Sequence, residues 1–195
     1  MYKRQLLVLA LPAEAFESLL KKLTLFRLRS QVTLAEDTSQ TLLSAFAPDV
    51  LAYGDSRAEG LTHGLSAAPE GQSAQAFHQE RGARGIPEGG HDLIVGKSTL
   101  LDEGLACAID WQKGCYMGQE VTARMRYRAL LKRVLVPFDG QSEAGQDLRV
   151  DNRKIGQVRA TYGARGFAYV MKDYVGSEVA GLRLGQPMGL APLGL

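Results

Sequence analysis

Apolar side chains recur at helical spacing early in the chain and at alternating spacing late in it. Phe16, Leu19, Leu20, Leu23 and Phe26 fall on one face of a helix that Pro12 is suited to open, with polar residues on the other face. The apolar run 6–10 ahead of it predicts a buried strand. Residues 31–35 and 41–46 predict two more, parted by the turn-prone Glu36-Asp37-Thr38-Ser39. The order strand, helix, strand, strand suits an α+β layer with an antiparallel sheet. Residues 48–96 are rich in Gly, Ser, Ala and Pro, which predicts surface loop with one helical stretch over 77–84. Residues 98–108 predict a helix capped by Ser98 or Thr99, with Asp102 and Glu103 in its early turns, where the helix dipole favours negative charge. A further helix is expected within 114–126. Past Lys132-Arg133 the texture changes to short alternating runs at 134–138, 148–150, 156–161 and 166–171, broken by glycine turns, which predicts a small β-barrel or sandwich. The expected organisation is an α+β domain over 1–130 and a C-terminal β-barrel over 131–195.

Composition narrows the functional classes. Apolar residues make up 45% and charged residues 23%, and the net charge of +2 gives no global field for nucleic acid or a membrane surface. A basic start before an apolar run resembles a signal peptide. Six apolar residues closed by Pro12 fall short of the roughly 7–15 that such a segment uses, and no stretch approaches the ~20 that span a bilayer. A cytoplasmic protein with reduced thiols and no membrane partner is the resulting expectation. Cys107 and Cys115 cannot alone supply the thiolates of a permanent iron–sulfur cluster or a zinc site, so a cluster held here is shared or transient. His63, His78 and His91 lack metal-ligand spacing and read as loop or surface residues; no metal site is expected.

The most informative stretch is Lys113-Gly114-Cys115-Tyr116-Met117-Gly118-Gln119-Glu120, a lone thiol beside a cation and between glycines that let backbone approach a ligand. Two readings stand for Cys115. A helix starting here, together with Lys113, would stabilise the thiolate and give a nucleophile or soft metal ligand; the other reading is a small buried hydrophobe. Cys107, inside Leu105-Ala106-Cys107-Ala108-Ile109, reads as core.

That eight-residue string, continued by Val121-Thr122-Ala123-Arg124, resembles the signature of the YgfZ family, folate-binding proteins related to the T-protein (aminomethyltransferase) of the glycine cleavage system and including mitochondrial iron–sulfur assembly factors. The likeness extends upstream through Arg81, Gly85-Ile86-Pro87 and Leu101-Asp102-Glu103, and downstream through Arg126-Tyr127-Arg128 and Lys132-Arg133. It also takes in Leu28-Arg29, Asp55-Ser56-Arg57 and the C-terminal β-rich segment. The resemblance implies an α+β fold: a partial aminomethyltransferase-like folate-binding domain with an antiparallel sheet and helices, followed by a small β-barrel. It implies an accessory factor of iron–sulfur cluster assembly or repair rather than a classical enzyme, with Cys115 carrying the chemistry. Arg81, Lys113, Gly114, Tyr116, Gly118, Gln119, Glu120 and Arg124 would then surround tetrahydrofolate, the implied cofactor, and a transient cluster would be the cargo. The implied partners are iron–sulfur assembly proteins or client enzymes, and tRNA through the family's link to tRNA modification.

Two departures bear on that picture. Ala129 stands where the family usually has Gly, and the family's fold normally begins well before the strand that residues 6–10 resemble. The missing part builds one wall of the folate cavity, so a shortened member or fragment is expected. Between Lys113 and Arg133 six basic residues face one acid, Glu120, which suits the carboxylates of a folate tail, tRNA phosphates or plain solvent. Trp111 and Tyr116 could line a pterin pocket or pack between domains. Competing functions are a one-carbon transferase like the T-protein, and a partner-binding module or fragment without a folate site. The sign of the last is an exposed apolar strip beside residues 6–10.

Overall fold

The computed structural model describes residues 7–188 apart from 12, 48–50, 52, 56, 68–72, 93–98, 117 and 128–130. Its architecture is mixed α+β. Helix α1 (Ala13–Phe26) precedes strands β1 (Thr41–Phe46), β2 (Tyr53–Gly54) and β3 (Leu61–Ser66), which form an antiparallel sheet in the order β1-β3-β2. Helices α2 (Ala74–Ala83) and α3 (Gln119–Tyr127) follow. Strands β4 (Arg133–Asp139), β5 (Asp147–Val150), β6 (Arg153–Tyr162), β7 (Arg165–Met171), β8 (Glu178–Val179) and β9 (Leu182–Leu184) then make a second antiparallel sheet in the order β5-β6-β7-β4-β9-β8. Its outer strands β5 and β8 approach each other, so the sheet is a nearly closed barrel.

The barrel strands form where alternation predicted them, because every second side chain turns inward. Val134, Val136 and Phe138 of β4, Ile155 and Val158 of β6, and Ala168 and Val170 of β7 share one core with Leu182 and Leu184. Leu101, Ala106 and Leu131, all ahead of β4, join it. The short strands β8 and β9 were not expected, being too brief to show a period.

The N-terminal part departs further from expectation. Residues 7–10 and 31–35 are not strands: neither has a partner strand among the described residues, and an isolated extended segment has no ladder to hold it. Leu6 and Pro12 lie outside the described residues. Leu7, Val8 and Leu9 are 81%, 55% and 62% exposed, but with no strand at 7–10 there is no sheet edge for the expected strip to lie beside. Helix α1 formed as its periodicity predicted, yet none of its residues is buried, and Leu25 and Phe26 face solvent. Within 48–96, expected as loop, β3 forms the middle of the first sheet and buries Leu61 and Thr62. The helix expected over 98–108 is replaced by turns and a short 3₁₀ helix, Ala106–Ala108; Ser98 is outside the described residues. Thr99 and Asp102 cap one helical turn, the Asp102 carboxylate accepting the Thr99 N–H at 2.8 Å and the Thr99 hydroxyl accepting the Asp102 N–H at 3.3 Å. Gly104 at φ +71° ends it, with the Gly104 and Leu105 N–H groups bonding the Leu101 and Leu100 carbonyls. Cys107, expected in the core, rides on the 3₁₀ helix and is exposed.

One ion cluster joins α2 to the barrel, and a second ties the first sheet to the loop after α2. Arg81 on α2 is fully buried; its Nη1 is 2.5 Å from Asp92 Oδ2 and 3.0 Å from the Ile86 carbonyl, its Nη2 donates to Tyr162 of β6 at 2.8 Å, and its Nε donates to His78 at 2.9 Å. The Tyr162 hydroxyl in turn donates to Asp92 Oδ1 at 2.6 Å. Burial, then the bond to Asp92, pushes the Tyr162 phenol up to about 12. Gly82 makes this approach possible, since a Cβ there would lie 2.2 Å from the Tyr162 ring. In the second cluster Arg57 grips both Asp55 oxygens and reaches the Pro87 carbonyl at 2.9 Å. Partial burial opposes ionisation of Asp55, but bonds from the Arg57 side chain and backbone and from His63 outweigh it and hold the carboxyl well below the usual range.

Removing Arg81 strands a buried carboxylate. Arg81→Ala is expected to cost about 3–5 kcal/mol in a denaturant melt, and an unchanged midpoint would show that Asp92 finds another partner. Because the folded pKa of Asp55 is depressed, its contribution is complete above the ordinary carboxylate value of about 3.9 and is lost as pH falls below it. Stability measured from pH 6 down to about 2 should therefore decline less steeply in Asp55→Asn than in the parent.

Candidate functional site

The segment carrying Cys115 is an excursion between two anchors. Trp111 before it and Met125 after it pack against the barrel core, and the Thr99 hydroxyl oxygen lies 3.5 Å from the Met125 sulfur. Asp110 begins the excursion with an Asx turn, its carboxylate accepting the N–H of Gln112 and Lys113 at 2.9 and 3.2 Å. Lys113 then lies over the Tyr116 ring, 4.8 Å from its centroid. Gly118 turns the chain into α3 at φ +87°, a conformation that strains a residue with a side chain. Thr122 steadies the first turn by donating to the Gly118 carbonyl at 3.0 Å.

Polar contacts along α3 are weaker than these anchors. Glu120 and Arg124 form an exposed i,i+4 pair, an arrangement worth about 0.3–0.5 kcal/mol. Arg126 stacks 4.0 Å above the centroid of Trp111 and 5.6 Å from that of Tyr127. Its Nη1 is shielded from solvent and has no hydrogen-bond partner among the described residues. Trp111 therefore has one face under a guanidinium and its body on the barrel.

Of the residues singled out from sequence, Lys113, Gly114, Cys115, Tyr116, Gly118, Gln119, Glu120 and Arg124 come together here because they are contiguous; Met117 lies outside the described residues. Cys115 is exposed, which excludes the buried-hydrophobe reading. It is also not in the first turn of a helix: α3 begins at Gln119, four residues later, and the field of a helix end fades beyond its first turn. Arg81 lies apart, with its donors committed inside the protein. Its neighbour Arg84 is exposed, stacks 4.3 Å over Phe46, and lines a cleft of about 210 Å³ with Pro137, Asp139, Arg165 and Arg183; the Cys115 segment takes no part in it. His63 sits on β3, and His78 and His91 stack with centroids 3.8 Å apart. No group of three or more potential metal ligands occurs among the described residues. The sequence counted Arg126 only as one of several cations; its pairing with Trp111 was not legible in spacing alone.

No protein-family model matches the chain. Among curated proteins, the human mitochondrial iron–sulfur cluster assembly factor IBA57 is 30% identical over 109 residues, 51% of this chain and 31% of its own length. The Neurospora crassa homologue is 34% identical over 95 residues, 48% of this chain and 20% of its own. The Chaetomium globosum homologue is 29% identical over 167 residues, 76% and 36% respectively. This chain is a distant homologue of the IBA57/YgfZ iron–sulfur cluster assembly factors. It spans about a third or less of the length of these IBA57 relatives. They are named as mitochondrial proteins, so the cytoplasmic expectation rests on this chain's sequence alone. No helix of the described residues is long and apolar enough to cross a membrane.

Exposure of both cysteines makes a direct prediction. Two thiols per chain should react with Ellman's reagent without denaturant, and Cys115→Ala and Cys107→Ala should each remove one. A thiol that reacts only after unfolding would contradict its placement.

Proposed function

We propose that this chain serves iron–sulfur cluster assembly or repair, as its relatives' name describes for them, with Cys115 as the working group and tetrahydrofolate as the bound cofactor. The observation that carries the reading is an exposed thiol on a segment pinned at both ends to the barrel. Such a thiol is open to a partner protein while its backbone is held. A single thiolate also suits a cluster or sulfur species in transit, because a permanent cluster is fixed by several ligands. In this reading residues 1–130 are part of an aminomethyltransferase-like folate-binding domain and residues 131–195 are the barrel that supports it.

The residues present fit the anionic end of a folate. Arg126 Nη1 is a shielded donor without an acceptor among the described residues, and Lys113 and Arg124 add positive charge on the same segment. A carboxylate is the acceptor a guanidinium matches best. When bound, tetrahydrofolate supplies a reduced pterin ring and an acidic glutamate tail; Arg126 would hold the tail while Cys115 stays free. Arg81 takes the role of an internal strut in place of the ligand contact that the family resemblance implied.

Calorimetric titration of the full chain with tetrahydrofolate tests the cofactor. Arg126→Ala should raise Kd about ten- to a hundredfold, the loss of one charge-assisted bond, whereas Cys115→Ala should leave it unchanged. In a cluster-enzyme reactivation assay the order should reverse, Cys115→Ala abolishing the effect. Full activity of that variant would remove the thiol from the function, and no heat of binding in the parent would remove the folate.

A further inference from the structure

The first sheet holds a second set of reactive groups. In the antiparallel register Ser44 of β1 stands directly opposite His63 of β3, and Tyr53 of β2 stands opposite His63 on its other side. Residues paired across an antiparallel ladder share a face. Ser44 Oγ is 2.8 Å from His63 Nδ1, and His63 Nε2 is 2.8 Å from Asp55 Oδ2.

The roles follow from the partners. Asp55 is ionised and can only accept, so in the neutral imidazole the proton sits on Nε2 and the lone pair of Nδ1 faces the Ser44 hydroxyl. Arg57 holds both oxygens of Asp55, with Nε at 3.1 and 2.9 Å and Nη2 at 2.7 Å, so the carboxylate that orients the ring is itself fixed. Hydroxyl, imidazole and carboxylate thus stand in the order of a nucleophile, its base and the group that orients the base, a constellation recognised by geometry and role rather than by sequence position. The two ring nitrogens are exchanged relative to the serine-protease arrangement, which leaves the direction of proton transfer the same.

The surroundings suggest what such a group would meet. At one end of this sheet face Phe46 is covered by Phe77 of α2, their centroids 5.5 Å apart, and Leu61 is buried. At the other end Leu42, Leu65 and Tyr53 are exposed, leaving an apolar platform beside Ser44 and His63. None of these residues belongs to the Cys115 segment.

We propose that Ser44, His63 and Asp55 form a nucleophilic site that accepts acyl groups from activated esters with an apolar acyl chain. Ser44 Oγ attacks the carbonyl carbon and its proton passes to His63 Nδ1. The bond from that carbon to the leaving oxygen breaks, and the alcohol departs with the proton from His63. Water, deprotonated in its turn by His63, attacks the acyl-serine; the carboxylic acid leaves and Ser44 recovers its proton.

Incubating the full chain with an alkyl fluorophosphonate and mapping the adduct by peptide mass spectrometry tests this without any variant. Ser44, though half-buried, is expected to be labelled at least about a hundredfold faster than the exposed serines, the scale of one general base. An unlabelled Ser44, or one labelled no faster than the others, overturns the proposal. His63→Gln, which keeps a hydrogen-bonding side chain opposite Ser44, should slow labelling about a hundredfold or more with an unchanged circular dichroism spectrum. Equal rates in the two proteins would also overturn it. Tetrahydrofolate binding and thiol titration are unaffected in either case, so this result stands apart from that for Cys115.

Discussion

A guanidinium that enters the interior leaves its water behind and must find protein partners, a desolvation that costs several kcal/mol before any bond is formed. Arg81 meets that cost by drawing together Ile86 and Asp92 from the loop after α2, His78 from its own helix and Tyr162 from the far end of β6. Tyr162 closes the ring by bonding Asp92 itself. The distance in sequence between these groups is what gives the cluster its effect: 81 residues separate Arg81 from Tyr162, and one cluster fixes where α2 meets the barrel. The Asp55–Arg57 grip joins the same loop at Pro87, so the first sheet is held to that junction as well.

From this frame the Cys115 segment takes its position indirectly. The barrel core accepts Trp111 and Met125, and what lies between them is fixed at its ends and exposed in its middle. Ion pairs on α3 are too exposed to set this geometry. Apolar packing sets it, and the glycine at 118 lets the chain turn from the exposed stretch into the helix. Homology to iron–sulfur assembly factors rests on likeness along part of the chain, and the accessible thiol rests on the geometry of this segment.

Sequence reading reached furthest where a period was long enough to register. The strands from β4 to β7 alternate over seven to ten residues or follow clear turns, and α1 keeps its helical spacing, so all were legible. Strand β3 was not, because His63 and Gly64 break its apolar alternation, and its burial comes from neighbours outside the segment. The turns at 99–104 were read as helix because Thr99 and Asp102 do cap a first turn, while Gly104, at φ +71°, closes that turn before a second can form. Cys115 stood out as a contiguous motif. Arg81 stood out too, but its partners did not, since no local pattern reveals that an arginine 11 residues from one aspartate and 81 from one tyrosine will be enclosed by both. Ser44 and His63, 19 residues apart, were hidden for the same reason.

The exposure of the Cys115 sulfur has a cost as well as a use. A surface thiol is open to peroxide and small disulfides, and each converts it to a sulfenic acid or a mixed disulfide that is no longer a thiolate nucleophile or ligand. Cys107 is exposed in the same way. The state of both thiols at a given moment is then set by the redox poise around the chain, and a reductant able to restore the free sulfhydryl determines how long each stays reduced.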